Sequence, residues 1–132
     1  MSTFFLEIYT PFGKYFDHSV EELIVQSEDF SLGILPHHTP MVAKIKVSKM
    51  VIVMNGERKE YAVGEGLLNV AKDGTTLLLS SIEAKDEIDI ERAKEAKKRA
   101  EERLNNPLNI DIERANKALI RANNRIVIYE DE

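Results

Sequence analysis

Two copies of the hexapeptide IDIERA, at residues 88–93 and 110–115, place the same reactive side chains at the same spacing. The likeness continues further, because residues 88–103 and 110–125 are identical at ten of sixteen positions. In each copy the aspartate can accept hydrogen bonds from free backbone N–H groups at a helix start, and the arginine can bind an anion such as phosphate. The repeat therefore predicts two helix starts, and it leaves open whether one of them also holds a ligand.

Arginine is concentrated in the same part of the chain. Six of the seven arginines lie within residues 92–125, where ten basic and five acidic side chains give a local charge of +5, although the whole chain carries −5. On each predicted helix they recur at spacings of seven and four residues, which places them on one face. We expect an anion or an acidic protein surface as the partner of this segment. Solvated arginines balanced by acids fit less well, because Arg121 has no acidic residue within four positions.

Other catalytic and ligand motifs are absent from the sequence. Without any cysteine, disulfides, zinc–thiolate sites and thiol nucleophiles are excluded. His37 and His38 are adjacent, so along a strand they would point to opposite faces, which is poor geometry for one metal ion. Neither GxxxxGK[ST] nor GxGxxG is present. A stand-alone enzyme is disfavoured, and the acidic total charge and few aromatics of the basic segment disfavour a nucleic-acid binder.

The elements that must position these residues change type near residue 84. Residues 1–84 alternate in hydrophobicity between frequent turn signals, which predicts eight to ten strands in an antiparallel sandwich or barrel. Asn55–Gly56 and Asp73–Gly74 are predicted hairpin turns, because their residues tolerate a positive φ. Residues 85–132 are rich in helix formers interrupted by NNPLN, which predicts an antiparallel αα-hairpin. The predicted fold class is α+β, with domains at 1–84 and 85–132.

Membrane insertion and secretion are not expected from the sequence. The longest apolar runs are far shorter than the ~18 residues of a membrane span. The N-terminus lacks a basic region before its apolar stretch, so it does not read as a signal peptide.

An alanine stripe adjoins the arginines on each predicted helix. Small side chains would let the two helices approach closely, with the arginines flanking the seam from both sides. Because burying alanine removes little apolar area, we expect the hairpin to be weakly held and able to rearrange. Facing arginines would repel one another unless an anion lies between them. Four of them, Arg92, Arg99, Arg121 and Arg125, could converge on one such anion.

The segment SLGILPHHTP (31–40) is the other compact signal. Two prolines and a glycine around Ile34 and Leu35 predict a structured loop. It either presents apolar side chains at the surface or buries these two residues in the core.

The motif LGILPHHTPM after a β pattern, followed by IDIERA and a helical hairpin, resembles the epsilon subunit of bacterial F-type ATP synthases. The likeness covers nearly the whole chain, including TPFG (10–13) and VGEGLLNV (63–70). It implies a ten-stranded β-sandwich and a C-terminal hairpin in a non-catalytic regulatory subunit. The sandwich would bind the gamma subunit and the c-ring as part of the rotor. The extended hairpin would reach the alpha/beta catalytic head and inhibit ATP hydrolysis. The protein would be peripheral, at the cytoplasmic face of the bacterial cell membrane.

The resemblance also implies a regulatory ATP site, with or without Mg²⁺, because some members from bacilli bind ATP through an I/L-D-x-x-R-A motif. Bound ATP would stabilise the compact hairpin. The implied ATP-binding residues are Glu83, Ile88, Asp89, Arg92, Ala93, Arg99, Arg121 and Arg125. The residues implied to face the partner subunits are Ser31, Leu32, Gly33, Ile34, Leu35, Pro36, His38 and Pro40. No catalytic or metal-binding residue is expected. The alternative is a purely structural coupling subunit in which the motif only caps a helix.

Overall fold

The computed structural model describes residues 2–106, 108 and 111–131, so Pro107, Asn109 and Ile110 of the predicted turn and second repeat lie outside the described residues. The chain divides into two compact units, Met1–Ala84 and Lys85–Glu132. Ten strands are described in the first unit: β1 Phe4–Thr10, β2 Gly13–Val20, β3 Glu22–Gln26, β4 Ser31–Ile34, β5 Met41–Ile45, β6 Ser48–Met54, β7 Glu57–Val63, β8 Gly66–Ala71, β9 Gly74–Leu79 and β10 Ile82–Ala84. The second unit contains a short 3-10 helix Lys85–Glu87, then α1 Ile90–Asn105 and α2 Ile112–Glu130.

Two five-stranded sheets form the first unit, in the orders β2-β1-β9-β8-β5 and β10-β7-β6-β3-β4. The predicted sandwich and the α+β fold class are confirmed. Neighbouring strands are antiparallel apart from β1 and β9, which run parallel with Leu6 beside Thr75. A parallel pair needs a long crossover connection, and here the strands between β1 and β9 supply it. The sequence did not predict this pair, because no local pattern marks a pairing between strands so far apart in the chain.

Side chains from both sheets meet in one hydrophobic core. Leu6 and Leu77 of the first sheet and Leu23 and Ile52 of the second are all fully buried or nearly so. Burying one such side chain contributes about 1.5–3 kcal/mol. The core therefore stabilises the sandwich far more strongly than any surface contact.

One of the two predicted hairpin turns is displaced by a residue. Asn55 and Gly56 adopt φ values of 55° and 77° between the paired Met54 and Glu57, which confirms the first turn. The second turn consists of residues 72–73, and Gly74 already begins β9. The register there is set by the buried face of β9, which a turn motif does not specify.

The VGEG segment carries the chain from one sheet to the other. β7 ends in the second sheet, β8 begins in the first, and the Gly64 N–H donates to the Ser81 carbonyl at 2.9 Å. A Cβ on Gly66 would collide with the Leu78 carbonyl oxygen. Glycine is required here by close backbone approach rather than by a positive φ.

The edge strand β2 is covered by a charged cluster. The Tyr9 hydroxyl donates to Glu7 Oε2 at 2.8 Å, and Lys14 Nζ lies 3.6 Å from Glu7 and 3.5 Å from Asp17. The hydrogen bond to Glu7 raises the pKa of Tyr9 above its usual value. Charged side chains on an edge strand oppose pairing with another chain.

The second unit differs from its prediction at both ends. Helix α2 continues to Glu130, three residues beyond the predicted end near Val127, and the 3-10 helix was not predicted. Lys85 Nζ donates to the Asp131 carbonyl, which joins the start of the unit to its end. No described helix is long and apolar enough to cross a membrane.

Candidate functional site on the helical hairpin

Both IDIERA copies begin a helix in the same way. Asp89 Oδ1 accepts a hydrogen bond from the Arg92 backbone N–H at 3.1 Å, and Asp111 Oδ1 accepts one from the Arg114 N–H at 3.1 Å. Each aspartate is therefore an N-cap that binds a backbone donor left free at the helix start. The predicted capping role is confirmed for both copies.

The helices α1 and α2 pack against each other along alanine. Ala93 and Ala100 of α1 and Ala115 and Ala122 of α2 are each at most 3% exposed. These pairs are seven residues apart, two helical turns, so each helix presents one line of small side chains. The predicted alanine seam is confirmed at these four positions, while Ala96 and Ala118 of the predicted stripe are half-buried. The seam buries little apolar area.

Four arginines occupy equivalent positions beside this seam. Arg92, Arg99, Arg114 and Arg121 each directly precede a buried alanine, so they lie about 100° around the helix axis from the seam. Two antiparallel helices that pack along equivalent residues are exchanged by a two-fold rotation about an axis perpendicular to the plane that contains both helix axes. This rotation leaves equivalent residues on the same side of that plane. The 22-residue repeat therefore turns both arginine rows to one face, which we call the arginine face; Arg103 and Arg125 continue the rows four residues on.

The arginine face is partly exposed, and three of its arginines lack an ion-pair partner among the described residues. Arg92 and Arg99 are exposed, and Arg121 and Arg125 are half-buried. The guanidinium groups of Arg92, Arg99 and Arg121 form no ion pair with any residue that the structure describes. Two rows of like charge close together favour an anion as their partner.

The remaining predicted ATP-binding residues are arranged unevenly. Ile88 and Ala93 are buried and Asp89 is exposed, all within the first turn of α1 or just before it. Glu83 is half-buried in β10, where it pairs with Ala62 of β7 in the sandwich unit.

The predicted partner-facing segment is only partly a loop. Residues 31–34 form β4, and Ile34 is 1% exposed within the core, so its side chain is not available to a partner. Leu35 is 54% exposed. Of the two alternatives, burial therefore holds for Ile34 and surface presentation for Leu35. His37 adopts a φ of 66°, and His38 Nδ1 lies 2.7 Å from the Thr39 carbonyl oxygen.

This loop forms one wall of a cleft of about 640 Å³ at one end of the sandwich. The start of β1 and the β8–β9 turn form the other walls. The described residues contain no group of three or more histidine, cysteine, aspartate or glutamate side chains that could hold a metal ion.

Two arginines outside the predicted ATP-binding set also line a cavity. Arg103 and Arg114 meet Asp111 and Ala115 around a space of about 200 Å³. The sequence repeat could have identified them, because Arg114 is the repeat equivalent of Arg92 and Arg103 is the repeat equivalent of Arg125.

Comparison with known proteins assigns the family. Residues 3–85 match the model of the ATP synthase delta/epsilon chain β-sandwich domain, and residues 86–130 match that of its long α-helix domain. The chain is 43% identical over 103 residues to the ATP synthase epsilon chain of Alkaliphilus oremlandii, covering 78% of this chain and 77% of that protein. It is 43% identical over 104 residues to that of Bacillus thuringiensis, covering 79% and 78%.

Two solved structures share the fold. One is a chain of the Euglena gracilis mitochondrial ATP synthase, with a TM-score of 0.79 at 15% identity, covering 93% of this chain and 79% of that chain. The other is a chain of the Tetrahymena thermophila mitochondrial ATP synthase, with a TM-score of 0.65 at 14% identity, covering 89% and 91%. Sequence and fold agree: the chain belongs to the ATP synthase epsilon chain family, whose members are not catalytic by themselves.

Proposed function

We propose that this chain is a regulatory and coupling rotor subunit of a bacterial F-type ATP synthase, and that its hairpin senses ATP. The observation that carries the proposal is the arginine face, which two helices packed along a line of alanines turn to one side. Family membership supports the rotor assignment. The structural neighbours come from assemblies that contain F1 and the c-ring, or the central stalk and the c-ring.

In this proposal the sandwich docks on the gamma subunit and the c-ring. Ser31, Gly33 and Leu35 are exposed and can contribute to such a surface, whereas Ile34 supports it from the core. The subunit is peripheral, on the cytoplasmic face of the bacterial cell membrane. The hairpin inhibits ATP hydrolysis when it extends toward the alpha/beta catalytic head.

The ATP site is assigned to the first IDIERA copy and the arginine face. Arg92, Arg99, Arg121 and Arg125 bind the phosphates, whose oxygens match guanidinium forks. The region from Glu83 to Asp89 contacts the adenine. The proposed site binds ATP with or without Mg²⁺.

Bound ATP acts by binding more tightly to one of two hairpin states. The preferred state is the compact one, called closed, and the other is the extended one, called open. A ligand shifts such an equilibrium only by its differential affinity for the two states. A charge-assisted hydrogen bond contributes about 1.5–3 kcal/mol, and the exposed positions of Arg92 and Arg99 place them at the lower end of this range. Several such bonds add up to a few kcal/mol, enough to shift the equilibrium between the two hairpin states.

Isothermal titration of the full chain with ATP, with ADP as the comparison ligand, tests the site. Arg92→Ala and Arg121→Ala should each weaken ATP binding at least about tenfold, the equivalent of ~1.4 kcal/mol. Arg58→Ala is the matched control, because Arg58 is exposed on β7 and is the one arginine outside the hairpin. Thermal unfolding of the sandwich should be unchanged in all three. An unaltered ATP affinity in both hairpin variants contradicts the assignment.

The second candidate is a purely structural coupling subunit that binds no nucleotide. It is favoured by the equal capping bonds of Asp89 and Asp111, which account for both motifs without a ligand. On this alternative, ATP produces no heat of binding and leaves the hairpin amide signals unmoved.

A further inference from the structure

The two ends of the helical hairpin are held in different ways. At one end, residues 106–111 connect α1 to α2 through the chain itself. At the other end lie the start of α1 at Ile90 and the end of α2 at Glu130, which no short connection joins. Between the ends the helices pack along alanine, which buries little apolar area. The end away from the loop is therefore where the two helices separate most easily.

The C-terminal end of α2 carries an unfavourable set of charges. The last carbonyl groups of a helix bear partial negative charge and favour a nearby cation. The last turn of α2, which the structure describes in full, contains no basic side chain. The acidic residues Glu130 and Asp131 stand there instead. A cation at this helix end has to come from another element.

Lys85 supplies such a cation from the 3-10 helix Lys85–Glu87. Its Nζ donates a hydrogen bond to the backbone carbonyl of Asp131, the C-cap residue of α2, which lies 46 positions further along the chain. The Asp131 N–H in turn donates to the Val127 carbonyl at 3.1 Å. Lys85 is half-buried, and Ile128 in the last turn of α2 is 3% exposed. The residue that Lys85 holds therefore also closes a packed turn of the helix.

We propose that Lys85 is a latch that fastens the end of α2 to the segment before α1 and opposes separation of the helices at the end away from the loop. Separation there breaks a charge-assisted hydrogen bond and removes that cation from the acidic end of α2. Because the contact is exposed, added salt weakens it. The latch regulates the hairpin that the proposed function uses as its switch, but it rests on the contact of Lys85 and requires no nucleotide.

Amide hydrogen exchange in the full chain without nucleotide tests the latch. Lys85→Met keeps the length of the side chain but removes its charge and donors. It should speed exchange of the Ile128 and Asp131 amides about three- to tenfold, the loss expected for one hydrogen bond at an exposed site. Lys85→Arg keeps a positive charge and N–H donors, so its amides should exchange more slowly than those of Lys85→Met. Unchanged signals of Leu6 verify that the sandwich is folded.

Lys98→Met is the matched control, because it removes the same charge from an exposed position of α1. It should leave exchange at Ile128 and Asp131 unchanged. Raising sodium chloride from about 0.05 M to about 1 M should speed exchange in the unaltered chain more than in Lys85→Met, because the screened contact is already missing from the variant.

Three results would overturn the latch. The first is unchanged exchange in Lys85→Met, and the second is exchange in Lys85→Arg or Lys98→Met as fast as in Lys85→Met. The third is an equal effect of salt on the unaltered chain and on Lys85→Met. An unaltered ATP affinity in Arg92→Ala and Arg121→Ala would contradict the ATP site alone, since no nucleotide is present in this experiment.

Discussion

Removing the two N-caps separately distinguishes capping from ligand binding. Asp89→Ala and Asp111→Ala each delete one hydrogen bond of 3.1 Å to a helix-start amide. Loss of such a cap costs about 0.5–2 kcal/mol, typically ~1. One kcal/mol changes a two-state ratio about fivefold. Because the capping bonds have equal length, we expect both variants to shift the hairpin toward its open state by this factor.

Hydrogen exchange at the seam amides of Ala100 and Ala122 measures the shift. Both variants should exchange about fivefold faster than the unaltered chain, without a change in the sandwich. Destabilising the binding-competent state lowers apparent affinity by no more than the same factor. Asp111→Ala should therefore weaken ATP binding fivefold at most, and Asp89→Ala should weaken it well beyond that.

The asparagine variants at the two positions provide the control, since asparagine caps about as well as aspartate. They should restore hairpin protection in both copies. Equal losses of ATP affinity in Asp89→Ala and Asp111→Ala would refute a direct role of Asp89. Unchanged exchange in Asp111→Ala would refute the capping assignment itself.

Three further substitutions test packing, backbone and electrostatics. Ala100→Leu inserts a large side chain into the fully buried seam and should destabilise the closed hairpin by about 1–3 kcal/mol, seen as faster amide exchange in both helices. Gly66→Ala places a Cβ against the Leu78 carbonyl and should lower the free energy of unfolding of the sandwich by at least about 1 kcal/mol, measured by denaturant titration. Glu7→Gln removes the charged acceptor of the Tyr9 hydroxyl and should lower the pKa of Tyr9 toward its usual value, followed by carbon-13 NMR.

Each of these three substitutions has a control substitution that should have a smaller effect. Lys98→Leu adds a leucine at an exposed position of α1 and should not open the seam. Gly33→Ala brings a Cβ only to 3.6 Å from Glu22 Oε2, an ordinary contact, and should be tolerated. Asp17→Asn removes a smaller influence on Tyr9 and should lower its pKa less than Glu7→Gln does. A result in which counterpart and test variant behave alike contradicts the stated cause.

Local signals predicted the hairpin well. The N-caps of Asp89 and Asp111 follow from contacts three residues apart, and the alanine seam follows from a period of seven, so both are readable from the sequence. The end of α2 was placed too early because its charged tail, which includes Glu130, is compatible with helix or coil.

The features of the sandwich that the sequence did not predict depend on pairing between strands that are distant in the chain. The parallel contact of β1 with β9 joins residues about seventy positions apart, and no local pattern marks it. The buried state of Ile34 and the exposed state of Leu35 depend on where β4 ends within its sheet. One of these two neighbouring apolar residues is therefore buried and the other exposed, and the alternation of apolar residues alone does not predict which.

The arginine-rich character of the candidate site could be predicted from the sequence, but its extent could not. Arginine spacing and the repeat predict that the arginines share one face of the hairpin. The space between Arg103 and Arg114 depends on how α1 and α2 approach each other near the loop, which no local sequence pattern specifies.

Amide exchange of the closed hairpin with and without ATP tests the central claim most directly. If ATP holds the hairpin closed, a ligand concentration a hundred times the dissociation constant should slow exchange at Ala93 and Ala100 by about a hundredfold, the equivalent of ~2.7 kcal/mol. ADP at the same concentration should slow it less, because it offers fewer phosphate oxygens to the arginines. Exchange at both alanines that stays the same with saturating ATP would contradict the account and leave the hairpin a structural coupling element.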